Sequence, residues 1–227
     1  MKYITMLVIL LRSILCFILI ICNLHANSPE AVLSNRKFAT PFIENSMSRP
    51  ENFEKSNNLL RKAGSPFRAR GEYLYIHGYV TDLLGVPMDN VIIYIWQANL
   101  FGYYNHIIKN KDDQNKYDID FVGNGIAITD NLGFYSFVTI VPGYYGDKAP
   151  HVNFLIKHDN MPEEFTTQMF FPGHPRNIYD PDYLSFNGLN KDLLTAKTIF
   201  INEKNAGDGK IALFNIKLNA LYTNKTY

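Results

Sequence analysis

Short runs of Tyr, Phe, Val and Ile recur along the chain from about residue 71, and turn-forming residues separate them at regular spacing. Aromatic and β-branched residues in such runs are typical of strands. We predict strands at residues 73–80, 91–97, 126–129, 134–140, 151–157 and 166–171, with 198–201 pairing with 211–218. Short strands without long helices between them predict an all-β fold, a two-sheet antiparallel β-sandwich of the immunoglobulin-like or transthyretin-like kind.

The turn at residues 130–133 adds a local pairing to this pattern. It ends in Gly133, and glycine readily adopts the positive φ that a tight turn requires. The strands at 126–129 and 134–140 are therefore predicted to form a hairpin.

The segment before the sandwich, residues 27–70, is polar and irregular, and it is rich in Asn, Ser and Pro. A short amphipathic piece at residues 54–62 has helical spacing. We predict an N-terminal irregular arm over 27–70, lying on a single sandwich domain that spans residues 71–227.

Residues 1–26 have the layout of a signal peptide. Lys2 and Arg12 precede an apolar run, and Leu24-His25-Ala26 resembles a small-residue cleavage site. We expect cleavage after Ala26 and export, to the periplasm or out of the cell. The alternatives are an uncleaved anchor, in which case the membrane becomes a partner, and a lipoprotein at Cys22, although the residues before Cys22 are not small.

Composition excludes some partners. The chain is 47% hydrophobic and 19% charged, as expected for a globular domain. Both cysteines lie in the leader, so the mature chain would hold no disulfide. Lys and Arg number 22 against 21 acidic residues, and loss of Lys2 and Arg12 leaves 20 against 21, a balance of −1. That balance argues against a nucleic-acid partner.

The candidate chemistry is a spaced set of ligands: Tyr104, Tyr145 and His151, with Asn153 two residues further on. Phenolate oxygens stabilise a hard, highly charged ion, which favours Fe(3+) over zinc or copper(I). Each residue taken singly has a structural interpretation, because the chain has 15 tyrosines and a strand histidine is often simply hydrogen-bonded. Only their joint placement within the motifs described next favours the metal interpretation.

The motifs around these residues resemble the intradiol ring-cleavage dioxygenases, in particular the protocatechuate 3,4-dioxygenase-like members. The resemblance covers roughly residues 70–185, in the family's order, and is carried by Gly78-Tyr79-Val80-Thr81-Asp82, Gly85-Val86-Pro87, Ile95-Trp96-Gln97-Ala98-Asn99, Gly102-Tyr103-Tyr104, Thr129-Asp130, Gly133-Phe134-Tyr135, Pro142-Gly143-Tyr144-Tyr145, Ala149-Pro150-His151-Val152-Asn153 and Thr167-Gln168-Met169-Phe170-Phe171.

The resemblance implies an oxidoreductase of aromatic catabolism whose β-sandwich holds a non-haem ferric ion on two tyrosinates and two histidines. Its partners would be a catechol-type substrate and O2, which give a cis,cis-muconate. Family enzymes often assemble from several chains, so a homo-oligomer is compatible with the resemblance.

Carried over by position, the resemblance assigns the metal ligands. Tyr104 falls on the first tyrosinate, Tyr145 on the second, which substrate displaces, and His151 on the first histidine. Asn153 stands at the second histidine, and strand alternation puts it on the same face as His151. His106, two residues after Tyr104, is an alternative source of the missing imidazole.

The resemblance also implies which groups are catalytic. Tyr145 is the proton acceptor, Lys148 replaces an arginine that stabilises charge on the ring, and Gln168 matches a glutamine of the substrate pocket. The departures at Asn153 and Lys148 leave a second hypothesis open, a non-catalytic secreted β-sandwich that kept the fold and serves as a binding module.

Overall fold

A computed structural model describes residues 38–44, 48–109, 111–113, 115–201 and 209–219. Nine strands and two short α-helices lie in the part of the chain so described. The strands are β1 (Tyr73–Asp82), β2 (Ile92–Gln97), β3 (Asn124–Ile128), β4 (Phe134–Ile140), β5 (His151–Lys157), β6 (Phe165–Phe170), β7 (Lys197–Ile201), β8 (Gly209–Leu213) and β9 (Ile216–Leu218). Between β6 and β7 lie a 3-10 helix (Pro175–Ile178), α1 (Pro181–Leu184) and α2 (Gly188–Leu194).

The strands form two sheets. One has the order β4-β1-β8-β7, with β9 also pairing with β1, and the other has the order β3-β2-β5-β6. The sheets pack through a shared hydrophobic core that includes Ile76, Phe137, Ile93, Phe154 and Phe214. The predicted two-sheet β-sandwich is thereby confirmed.

Burial follows from the residue pattern of each strand. Strand β1 alternates between buried and less buried positions, as expected for a strand with one face on the core. Strand β5 is buried from His151 to Ile156. Strands β2 and β6 pair with its two edges, and residues on both of its faces are buried. This strand carries His151 and Asn153, so two candidate site residues lie on a strand that is paired on both sides.

Two local predictions are wrong. The turn at 130–133 forms as expected, with Gly133 at φ 75°, but β3 and β4 do not form a hairpin ladder. Strand β3 pairs with β2 while β4 pairs with β1, so the turn crosses from one sheet to the other. The first sheet is also not wholly antiparallel, since β1 runs parallel to both β8 and β9.

The piece at residues 54–62 is not helical. It is irregular, and its backbone instead bonds the sandwich: Leu59 N–H donates to Val138 O, and the Ile126 N–H donates to Ser56 O. Leu59 is fully buried. Hydrogen bonds to the sheet edges and burial of Leu59 therefore outweigh the local helical spacing.

The predicted leader, residues 1–26, lies outside the described residues, and the division into arm and domain stays a prediction. Across the ranges that the structure covers, none of the helices has the length and hydrophobicity needed to cross a bilayer.

Candidate active site

Tyr104 is carried by a loop that Asn99 organises from its buried position after β2. The Asn99 side-chain oxygen accepts from the N–H groups of Phe101 and Tyr103, at 2.9 and 3.2 Å. Its amide nitrogen donates to Asn105 Oδ1 and to Lys116 O. One fully buried side chain thus fixes the loop on both sides of Tyr104.

The loop that precedes Tyr145 packs against this one at two glycines. A Cβ atom on Gly102 would lie 1.8 Å from Tyr144 O, and one on Gly143 would lie 2.3 Å from Leu100 O. Gly102 also has a φ of 80°, which other residues rarely adopt. Only glycines allow this approach, which sets the Tyr104 and Tyr145 rings edge to face at a centroid distance of 5.2 Å.

Tyr145 itself begins a tight turn. Its backbone pairs with that of Lys148, with the Lys148 N–H donating to Tyr145 O at 2.9 Å, and Gly146 takes a φ of 59° between them. The Tyr145 side chain remains 42% exposed, whereas Tyr104 is 2% exposed. The two tyrosines therefore differ in freedom: Tyr104 is fixed and Tyr145 has room to move.

A chain of hydrogen bonds joins the buried groups. Asn153 Nδ2 donates to the Tyr104 hydroxyl at 3.0 Å, and Tyr104 Oη lies 3.1 Å from His151 Nε2. His151 Nδ1 lies 2.7 Å from Ala149 O, and because a carbonyl only accepts, Nδ1 carries the proton. The lone pair of Nε2 consequently faces Tyr104.

Burial shifts the pKa values of His151 and Tyr104. It lowers the pKa of His151, although the hydrogen bond to Ala149 O opposes this change. Burial also raises the pKa of Tyr104, partly offset by hydrogen bonds with Ser48 and Asn153. At neutral pH the pair is a phenol and a neutral imidazole, and a neutral imidazole is the form that binds metals.

The amide of Asn153 presents its nitrogen to Tyr104. The same nitrogen donates to Trp96 O at 3.1 Å, and Oδ1 accepts from Gln168 Nε2 at 3.2 Å. Reversing the amide would set two acceptor oxygens against each other at Trp96, so the hydrogen bonds determine the orientation. A ligand role for Asn153 stays a prediction, and it would require this amide to reorient.

Two aspartates near α1 support the site and were missed in the sequence. Asp180 is fully buried, caps α1 and accepts from the Ala149 N–H at 2.7 Å. Asp182 Oδ2 lies 2.7 Å from Lys148 Nζ. The Asp180-Pro181 pair is a helix-start signal in the sequence, but only the tertiary structure links it to the turn before His151.

One cavity of about 250 Å³ collects the predicted residues. Its lining includes Tyr104, Tyr145, Lys148, His151, Asn153 and Gln168, together with Glu44, Ser48 and Asp182. His106 is not part of this lining, and its Nε2 donates to Ser48 O at 2.9 Å. The structure thus brings together every residue predicted by position. The alternative imidazole, His106, lies near Tyr104 but is hydrogen-bonded to a backbone carbonyl.

One pair of candidate donors has the spacing that two ligands of a shared ion would have. With metal–ligand bonds of about 2 Å, two ligand atoms that share one ion lie roughly 3 Å apart, and Tyr104 Oη and His151 Nε2 are separated by 3.1 Å. Within the described residues, no group of three or more His, Cys, Asp or Glu side chains could hold a metal ion. A metal at this cavity would therefore depend on the phenol oxygens, which are ligands that Fe(3+) favours.

Comparison with known proteins shows which family the chain resembles. A family model described as Dioxygenase matches residues 48–220. The chain is 34% identical over 143 residues to the protocatechuate 3,4-dioxygenase beta chain of Burkholderia cepacia, covering 60% of this chain and 59% of that one. It is 27% identical over 171 residues to a catechol 1,2-dioxygenase of Acinetobacter baylyi, covering 66% of this chain and 53% of that protein.

Solved structures agree on the fold. The dioxygenase domain of a dioxygenase and carbohydrate-binding protein fusion from Streptomyces sp. SirexAA-E matches with a TM-score of 0.62 at 24% identity, over 81% of this chain and 100% of that one. The family model that matches most of the chain defines the class of protein as a dioxygenase. The chain belongs to the intradiol ring-cleavage dioxygenase family, as the motifs predicted, and this membership supports its classification as an oxidoreductase.

Proposed function

We propose that this protein is a non-haem ferric intradiol dioxygenase that cleaves a catechol-type aromatic ring with O2. The observation that carries the proposal is the 3.1 Å approach of Tyr104 Oη and His151 Nε2 in a cavity that Tyr145 also lines. Family membership supports the same chemistry. The non-catalytic alternative receives no comparable support, since the cavity keeps all three donors together.

Tyr104, Tyr145 and His151 would hold the ferric ion, which supplies Lewis acidity toward a bound catecholate. His151 offers a neutral imidazole whose Nε2 is directed by the Nδ1–H bond to Ala149 O. Tyr104 is held by Asn153 from the other side. These two donors are preorganised, because both side chains are buried and hydrogen-bonded.

Tyr145 is suited to a proton-transfer role. Because its side chain is 42% exposed, it can move away from Tyr104 without breaking core packing. As a phenolate it can accept the proton of a substrate hydroxyl at Oη. Lys148 places an ammonium group at the cavity, where it would stabilise negative charge on the ring. Asp182 holds this ammonium in place and offsets part of its charge.

The proposed reaction balances without a further reductant. The bond between the two hydroxyl-bearing carbons breaks, and each of these carbons gains one oxygen atom of O2. With the oxygen atoms that the catechol already carried, they become the two carboxylates of a cis,cis-muconate. The ring carbons are oxidised and O2 is reduced. The protein's part is to bind and orient the catechol, accept its protons and offset its charge.

Iron loading of the mature chain tests the proposal. We expect tight binding of a single ferric ion and a burgundy tyrosinate-to-iron absorption band, with catechol-dependent O2 uptake. Tyr145→Phe should diminish the band. Tyr144→Phe is the matched control, because Tyr144 is the exposed neighbour and does not line the cavity. A colourless protein that excludes iron would remove the proposal.

We also propose that residues 1–26 direct export, on the basis of the leader pattern. Protein recovered outside the cytoplasm should then begin at Asn27 on N-terminal sequencing. Recovery of an exported chain that still begins at Met1 would contradict cleavage.

A further inference from the structure

A second pocket of about 360 Å³ adjoins the candidate active site. Tyr104 and Tyr145 line this pocket and also the site cavity, so the two spaces meet at the same pair of rings. The site cavity, about 250 Å³, is small for a ligand larger than a single ring. A substituent carried by a bound catechol therefore has room in the second pocket.

Part of the wall of this pocket is apolar. Ile107, Ile108 and Tyr103 contribute to it, and the first and last of these side chains are 47% and 37% exposed. Apolar side chains exposed in a concave surface beside an active site gain free energy when an apolar ligand group covers them. This part of the wall thus matches a hydrocarbon chain better than a sugar or a phosphate.

Charged residues also line the pocket, two of them basic and one acidic. Lys109, Lys116 and Asp113 line it, and Lys116 Nζ lies 3.3 Å from Asp113 Oδ2. Asp113 offsets the charge of Lys116, whereas Lys109 makes no ion pair within the described residues. One positive charge among the lining residues is left to attract an anion.

We propose that the pocket selects catechols that carry a short apolar side chain ending in a carboxylate, with Lys109 as the residue that determines this specificity. The inference rests on the proposed dioxygenase function and names the substrate class of that site. The ring would face Tyr104 and Tyr145, the hydrocarbon chain would cover Ile107 and Ile108, and the carboxylate would reach Lys109.

Anaerobic titration of the ferric-loaded protein tests the proposal, because without O2 binding is measured apart from turnover. The probes are dihydrocaffeate, which is anionic, its neutral analogue propylcatechol and the cationic dopamine. We expect dihydrocaffeate to bind about fivefold more tightly than propylcatechol, the size of one exposed charge pair. Added salt should reduce the difference, because exposed charges are screened.

Lys109→Met should abolish this preference and leave propylcatechol binding unchanged. Lys109→Glu should invert the preference toward dopamine. Lys55→Met is the matched control, since it removes one positive charge from a different surface pocket and should change nothing.

The outcomes separate the two proposals. If propylcatechol binds and shifts the iron absorption band, but dihydrocaffeate gains nothing from Lys109, the substrate class is wrong and the dioxygenase function stands. If iron does not bind and no catechol binds, both proposals fall. A preference that survives Lys109→Met equally overturns the role of this lysine.

Discussion

Tyr104→Phe removes one hydroxyl from the centre of the site and leaves the ring in place. In the iron-free protein this hydroxyl donates to His151 Nε2 and accepts from Asn153 Nδ2, at 3.1 and 3.0 Å. Each such bond contributes about 0.5–1.5 kcal/mol net, and unsatisfied buried partners cost more. Because His151 and Asn153 are 5% and 1% exposed, they offer little surface through which water could replace the lost contacts. We expect a loss of roughly 2–3 kcal/mol in the free energy of unfolding.

Urea unfolding of the iron-free chain measures this loss, and Tyr135→Phe is its matched control. Tyr135 is equally buried, but its hydroxyl makes a single bond, to Phe214 O at 2.6 Å, on the core side of the sandwich. We expect about 1 kcal/mol for this variant. If Tyr104→Phe costs no more than Tyr135→Phe, the hydroxyl does not bridge Asn153 and His151, and the hydrogen-bond chain is wrong.

The same pair of variants reports on the metal. Iron at a hundredfold excess over its dissociation constant stabilises a protein by about 2.7 kcal/mol. Tyr135→Phe should keep this increment, whereas Tyr104→Phe should lose most of it together with the absorption band. Equal stabilisation of both variants by iron would show that Tyr104 is not a ligand.

Two further predictions concern the same buried network. Asn153→His should tighten iron binding by supplying a second imidazole, which competition with a chelator measures, and unaltered iron affinity would contradict this prediction. Because the larger ring enters a well-packed position, the variant should also lower the free energy of unfolding of the iron-free protein by about 1–3 kcal/mol. Burial lowers the pKa of His151 below 6.5, so the unfolded chain binds a proton that the folded chain does not. Stability from this group is therefore full above about pH 6.5 and is lost as the pH falls below that value. The free energy of unfolding of the iron-free chain, measured from about pH 8 to about pH 5, should show this loss. His151→Asn should reduce the slope of the free energy of unfolding against pH. Part of the slope should remain in the variant, because the pKa values of His106 and His174 are also lowered. An identical slope in His151→Asn would show that His151 titrates normally.

The sequence by itself determined the strands and the candidate donors. Runs of aromatic and β-branched residues favour strands, so β1, β2, β4 and β5 could be located from the pattern of residues along the chain. The period of two along a strand likewise put His151 and Asn153 on one face before any partner strand was known. Ordered motifs then related these positions to a family.

Tertiary structure decided which segments meet. Nothing local distinguishes β3 from β1 as the partner of β4, because pairing depends on contacts far apart in sequence, and the hairpin prediction was therefore wrong. The piece at 54–62 lost its helical tendency to hydrogen bonds with the sheets. The same holds at the site: Asp180 holds the turn before His151, and the Trp96 carbonyl orients the amide of Asn153. A hydrogen bond needs both partners in place, and only the folded chain brings residues this distant in sequence together.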